Sequence, residues 1–430
     1  MLINKNYFSK ISVLNFLISL IPLTLIIGNL AVNINILLIC FLGLAIYKFR
    51  VFSIDKKKYQ YLVISFFLYL ILITLFRNLP NLNDNVLYVE HIKKSFFFLK
   101  YLILFFVIFK TIEEGKLNIK FFIISASLFS LIVGIDILIQ IIFSKNLLGY
   151  TYNNYPSGFF GDEKIAGSYL QKFSLFFVFY ISLFFKSLNK KYFFMSLSLI
   201  FFFIIILYTF NRIPFFLYVL SIFLVFFFAK KIKILFLLSI ICSLFFLYLH
   251  KNNEEFRIHI NSFYGNAKQT ALVAPGLFYN GYPNKPIDYA SGHLIIFNSG
   301  VQNWKENKIF GGGLKTLRIK CKYIKYQTCQ SHPHNYWIEI LLDVGVVGFT
   351  LIFLIFLLSF FNFFKFYFSN NNFHLKLLSL PFFLIVFFEF FPLRSSGSFF
   401  TTWNSTIIFF VLPILINIEK VNFFKIKLQT

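Results

Sequence analysis

His332-Pro333-His334-Asn335-Tyr336-Trp337-Ile338-Glu339-Ile340-Leu341-Leu342-Asp343-Val344-Gly345-Val346-Val347-Gly348 closes a long polar segment and leads directly into an apolar run at about 346–364. A helix needs about 20 predominantly apolar residues to cross the hydrocarbon core of a bilayer, and this run is long enough. Polar chemistry therefore sits at the mouth of a membrane helix. The pair His334-Asn335 is followed by nine residues and then by Gly345-x-x-Gly348. That spacing holds the imidazole just outside the membrane and lets the following helix pack tightly against a neighbour. The same residues also fit a purely structural role, with His334 capping the helix start and the two glycines serving packing alone.

The rest of the chain extends this reading. Of 430 residues, 58% are hydrophobic and 13% charged, against roughly 25% charged in soluble domains. Apolar runs of about 20 residues recur along nearly the whole length, which excludes a soluble enzyme and favours helices over a β-barrel of short alternating strands. The predicted fold is an all-α polytopic membrane protein with about 12 transmembrane helices. Its 68 Phe residues are read as compositional bias, not as an aromatic site. The net charge of +25 does not point to nucleic acid, because the Lys and Arg residues gather at helix ends and form no recognisable basic domain.

The spans fall at about 11–28, 34–49, 59–76, 95–112, 120–142, 169–186, 192–209, 214–229, 233–250, 346–364, 377–393 and 404–418. The first has no small-residue cleavage site after it and is retained as a helix. Lys48, Arg50, Lys56, Lys57 and Lys58 mark one side as cytoplasmic, and the other short loops on that side repeat the bias. Both termini are then cytoplasmic. Residues 1–430 read as a single membrane domain, with 251–333 as one large periplasmic loop between helices 9 and 10 and 331–348 as a signature segment. Asp136 and Glu389 lie within spans. For Asp136, a helix–helix hydrogen bond and a functional role are both open.

Four further stretches carry polar chemistry. Tyr155 to Leu170 includes Asp162-Glu163-Lys164 between glycines and is expected to fold back on the bilayer surface. Asn211-Arg212-Ile213-Pro214 joins two spans so tightly that Arg212 must sit at the membrane surface; it either snorkels there or forks onto phosphate oxygens. In the long loop, Ser291-Gly292-His293 precedes Phe297, Trp304 and Ile309-Phe310-Gly311-Gly312-Gly313-Leu314. The glycine run either cradles a phosphate through its amides or is a flexible turn. Cys321 and Cys329 are near enough in sequence to pair in an oxidising compartment. A zinc site adding His332 and His334 would need four ligands converging from one short loop, and no metal is expected.

The His334-Asn335, nine-residue, Gly345-x-x-Gly348 pattern resembles the signature of the O-antigen ligase and polymerase superfamily. Phe349 follows where that signature usually closes on a small residue or Tyr. Arg212 is similar to the family's arginine at a tight exterior turn, with Asn211 in place of the usual Ser, and the 155–170 segment resembles its exterior loop before the sixth helix. The aromatic and glycine elements of the long loop match too, but His293 stands where the family commonly has an arginine. The resemblance implies a membrane glycosyltransferase of lipopolysaccharide biosynthesis in the bacterial inner membrane, with its active face periplasmic. Its donor would be an undecaprenyl diphosphate-linked glycan. A ligase would transfer to lipid A core, and a polymerase to a carrier-linked glycan.

The implied roles are few. His334, with an ordinary pKa near 6.5, is the candidate general base. Arg212 is the candidate diphosphate ligand, and Asn335 orients His334 or the glycan. Further substrate contacts are assigned to His293, Arg318 and Lys164, while Lys315 and Arg257 remain alternatives to Arg318 for a second phosphate contact. No cofactor is expected. The ligase reading is preferred; a lipid-linked oligosaccharide flippase is the alternative from another class, and would show two similar halves with charges at the midplane.

Overall fold

The computed structural model of the chain describes residues 9–53, 58–82, 86–152, 155–254, 256–258, 260–262, 264, 265, 268, 292–320, 331–392 and 394–423. Cys321 and Cys329 lie outside the described residues, as do 269–291 and 321–330 of the long polar segment.

Each apolar run carries a helix. The first is a bent pair, α1 (Lys10–Ser19) and α2 (Ile21–Ile27), which meet at 47° where Pro22 opens the second helix. Then come α3 (Asn29–Tyr47), α4 (Lys58–Asn78), α5 (Val86–Phe97) running on into α6 (Leu99–Glu113), and α7 (Ile119–Phe143). They are followed by α8 (Ala166–Ser182), α9 (Leu188–Tyr208), α10 (Arg212–Phe228) and α11 (Ile232–Asn252). Near the end of the long polar segment lie α12 (Gly292–Lys305) and the short α13 (Thr316–Lys320), and the chain closes with α14 (Tyr336–Ser369), α15 (Phe373–Glu389) and α16 (Thr402–Ile416). Among the described residues there is no strand. Among the described residues six helical stretches are long and apolar enough to cross a membrane, or eight if each bent pair counts as one span; α10 and α16 are shorter apolar helices. The protein is a multi-pass, all-α membrane protein.

The helices are apolar inside and out. Phe66, Phe105, Tyr169 and Phe410 fill the interior, while Phe41, Leu72, Phe216 and Phe361 cover the exterior. A helix apolar on all sides suits a lipid surround, because its outer face has no water to satisfy.

Tyr336 already begins α14, ten residues before the expected start of span ten, so most of the signature and the span form one element. Gly345 does more than let helices pack. It has φ 62° and ψ −169°, which breaks the helix inside the signature. The break frees carbonyls before it and amides after it, and the turn at 308–313 meets them: Gly312 N donates to Leu342 O at 3.0 Å and Gly313 N to Asp343 O at 2.9 Å. In return Val346 N donates to Lys308 O at 2.9 Å and Val347 N to Ile309 O at 3.1 Å. The two backbones approach so closely that a Cβ at Gly345 would lie 2.3 Å from Ile309 O.

Gly345→Ala therefore combines backbone strain of about 1–3 kcal/mol with direct overlap. We expect a melting temperature in detergent several degrees below that of the parent protein; an unchanged melt would mean that the joint is not rigid.

Candidate functional site

His334 adopts φ 52°, a conformation that L residues rarely enter, and is held there from both sides. Ser396 N donates to His334 O at 2.7 Å, and His334 Nδ1 lies 3.3 Å from Ser396 O. A carbonyl only accepts, so this contact puts the ring proton on Nδ1 and makes Nε2 the basic nitrogen. Burial holds the His334 pKa below its ordinary value, against the opposing pull of the Ser396 carbonyl and Glu339. The ring of His332 sits 4.3 Å from that of His334, centroid to centroid, and burial lowers its pKa to about 4.

Asn335, not His334, is the N-cap of α14: its Oδ1 accepts from Ile338 N at 3.2 Å. Its Nδ2 donates to Pro392 O at 2.8 Å and Arg394 O at 3.1 Å. The amide is thereby committed to fastening the loop after α15 against the signature, which aligns Ser396 with His334. Of its two expected roles, these bonds favour orientation of His334. Gly300 of α12 secures the other side, since a Cβ there would lie 2.5 Å from Ile338 and 2.8 Å from Pro333.

Beneath the histidine loop lie two buried charge networks. Glu389 Oε1 takes both Lys172 Nζ and Arg394 Nη1 at 2.9 Å, while Tyr336 Oη donates to its Oε2 at 2.7 Å. Arg394 Nη1 also donates to Phe388 O at 3.0 Å, and Lys172 Nζ donates to Ser168 Oγ at 2.7 Å. In the second network, Glu339 binds Lys315 Nζ at 2.9 Å, the Ser398 hydroxyl at 2.5 Å and Phe399 N at 2.6 Å. Lys315 Nζ also reaches Ser398. Asp343 accepts from Lys315 N at 2.9 Å and Thr316 N at 3.1 Å. These groups tie α8, α14 and α15 to the 394–399 loop and the 315–316 turn.

The structure brings several expected site residues to one end of the bundle. Arg212 opens α10 and is half-buried; one turn on, the ring of Phe216 meets Phe391 at 6.3 Å. Trp337, next to the histidine loop, donates to Phe390 O at 2.8 Å. Arg212 and His334 thus flank the same end of α15. Lys164 joins them: the Asn211 amide, oriented to satisfy both neighbours, donates to Lys164 O at 3.1 Å and accepts from Gly167 N at 3.2 Å. The Lys164 side chain is exposed, with its ammonium 4.2 Å from the centroid of the Tyr155 ring.

The loop cations separate. Lys315 is spent on Glu339, so it is not the second phosphate contact. Arg257 lies 3.9 Å from Glu254 on an exposed turn. Arg318 is exposed on α13. His293 lies in the first turn of α12, and its side chain is outside the described structure. The glycine run is neither a phosphate cradle nor a flexible turn, because the Gly312 and Gly313 amides are bonded to α14. Asp136 is structural: it accepts from Asn146 Nδ2 at 3.2 Å and Leu147 N at 2.9 Å, fixing the turn after α7 rather than bridging two helices. Sequence reasoning missed the pairing of Arg394, Lys172 and Glu389. A lysine inside the apolar run at 169–186, near its start, was the available signal, since such a charge demands a partner.

A multi-pass helical membrane protein with an imidazole, a half-buried guanidinium and buried ion pairs at one bundle end is the class that fold and site define. Residues 197–353, which include Arg212, the 308–313 turn and the whole signature, match the family described as O-Antigen ligase. That match supports the O-antigen ligase and polymerase superfamily, and with it an enzyme of membrane glycosyl transfer. No curated protein matches the chain.

Proposed function

We propose that the protein is an O-antigen ligase-like glycosyltransferase that moves a glycan from undecaprenyl diphosphate to lipid A core. The observation that carries this reading is the placement of His334, fixed by Ser396 and Asn335, at the same bundle end as Arg212. The site lies on the periplasmic face of the bacterial inner membrane, with both termini cytoplasmic; the cation-rich short loops support that orientation. The acceptor hydroxyl oxygen attacks the anomeric carbon, the glycosyl C–O bond to the diphosphate breaks, and His334 Nε2 takes the hydroxyl proton. Arg212, helped by Arg318, stabilises charge on the departing diphosphate, with Lys164 beside the donor.

Arg212→Lys keeps the charge but loses the planar fork. We expect the donor KM to rise about tenfold or more, the loss of one charge-assisted hydrogen bond, while the acceptor KM holds. An unchanged donor KM would argue against bidentate recognition. The reading itself is tested by incubating purified protein with polyprenyl diphosphate-linked oligosaccharide and offering each acceptor separately. Product on lipid A core supports the ligase, and longer carrier-linked chains make the protein a polymerase. Folded protein that transfers to neither acceptor moves a flippase to the front.

A further inference from the structure

On the membrane face opposite His334, where α9 and α15 begin and α10 and α14 end, a cation is buried without a counter-charge. Lys191 is 8% exposed. Its ammonium donates to His374 Nε2 at 3.2 Å, which puts the ring proton on Nδ1. That Nδ1 is itself buried with no hydrogen-bond partner among the described residues. Burying an ammonium is costly unless a negative group meets it, and an imidazole supplies none.

Direct contacts close a ring around this pair. The Tyr192 ring meets that of Phe373 at 6.3 Å and holds the Lys231 ammonium 5.1 Å from its centroid. Lys231 follows α10, whose Phe228 meets the Tyr367 ring at 5.2 Å and accepts from Tyr367 Oη at 3.1 Å. Tyr367 in turn holds the Lys376 ammonium at 5.2 Å, and Lys376 stands two residues from His374 on α15. The segments that supply these groups, 185–192, 228–233 and 367–376, contain no Asp or Glu. Among the described residues no carboxylate pairs with Lys191, Lys231 or Lys376.

The rim of the ring shows which anion fits. Phe193, Phe227 and Phe368, each next in sequence to Tyr192, Phe228 or Tyr367, are all exposed. An apolar rim beside a buried ammonium suits a ligand that joins a negative headgroup to acyl chains, and Tyr192 and Tyr367 stand where aromatic rings meet headgroups. Basic pockets between membrane helices take anionic headgroups for the same reason.

We propose that Lys191, with His374, Lys231 and Lys376, seats the phosphodiester of an anionic phospholipid on the membrane face opposite His334. A phosphate oxygen supplies the negative partner that Lys191 and the Nδ1 proton lack. None of these residues belongs to the glycosyl-transfer site, so the seat stands or falls separately from it.

The test is native mass spectrometry of the full-length protein in a neutral detergent, with phosphatidylglycerol, phosphatidylcholine and inorganic phosphate as probes. Wild type should bind phosphatidylglycerol about tenfold more tightly than phosphatidylcholine. Lys191→Met replaces the buried ammonium with an apolar side chain and should abolish that preference. Lys231→Gln, an exposed change, should reduce it in part and still decides the matter if Lys191→Met does not fold. Lys48→Gln removes an exposed cation at the end of α3 on the same face and should leave the preference intact. Equal binding of the two lipids to wild type overturns the seat, as does a full preference in Lys231→Gln or in folded Lys191→Met. A loss in Lys48→Gln as large as in Lys231→Gln reduces the seat to a generally basic surface and overturns it too. Inorganic phosphate that displaces phosphatidylglycerol as readily as fresh lipid does overturns the lipid assignment in favour of a free anion.

Discussion

His334→Ala should lower kcat for glycan transfer by about 10²–10⁴-fold, the usual contribution of a positioned general base, with donor KM little changed. The surroundings of the ring suit the proposed role. Its Nδ1 faces the Ser396 carbonyl, its Nε2 is left basic, and the backbone holds it at φ 52°. The pH dependence follows from the direction of the shift. Burial lowers the His334 pKa, so the neutral ring, which is the form able to accept a proton, persists below the ordinary value. The kcat/KM should therefore stay level from about pH 8 to about 6.5 and fall only at lower pH. Stopped assays on folded protein across that range check both statements. Residual kcat within tenfold of wild type, or an acid limb above pH 7, would remove His334 from the proton-transfer step.

Much of this site was legible in the sequence because its residues stand in local patterns. Twenty-residue apolar runs locate most of the helices to within a few positions, although α5 and α14 begin well before the runs at 95–112 and 346–364, and His334-Asn335 stands out as polar chemistry beside an apolar run. Arg212 was legible for the same reason, since a two-span turn that short leaves a guanidinium nowhere but the surface. Other features have no local signature. The pair Gly345-x-x-Gly348 looks the same whether it packs helices or breaks one; only the observed φ, and the four bonds exchanged with 308–313, decide. The Gly311–Gly313 run looks like an anion cradle until its amides are seen to be occupied. Asn335 is a helix cap because the chain turns into α14 one residue later than a His334 cap would require.

The Glu389 network is the extreme case of what sequence order hides, because Lys172, Tyr336 and Arg394 reach one carboxylate from three separate parts of the chain. Glu389→Gln should destabilise the protein by about 3–5 kcal/mol, since it strands two buried cations on one neutral amide. The consequence should reach the active end, as Arg394 carries the loop whose carbonyls receive Asn335 and whose Ser396 fixes His334. Thermal melts in detergent measure the first effect. A cycle with Lys172→Met isolates its cause, for removing one cation should recover part of the loss and leave the double variant less destabilised than the sum of the singles. Arg394→Lys addresses positioning separately. It keeps the charge on Glu389 but loses the planar donor set that also binds Phe388 O, so it should lower kcat more than it lowers the melting temperature. A Glu389→Gln protein that melts with wild type would mean that water or lipid headgroups reach Lys172 and Arg394. The network would then not be the element that holds the histidine loop.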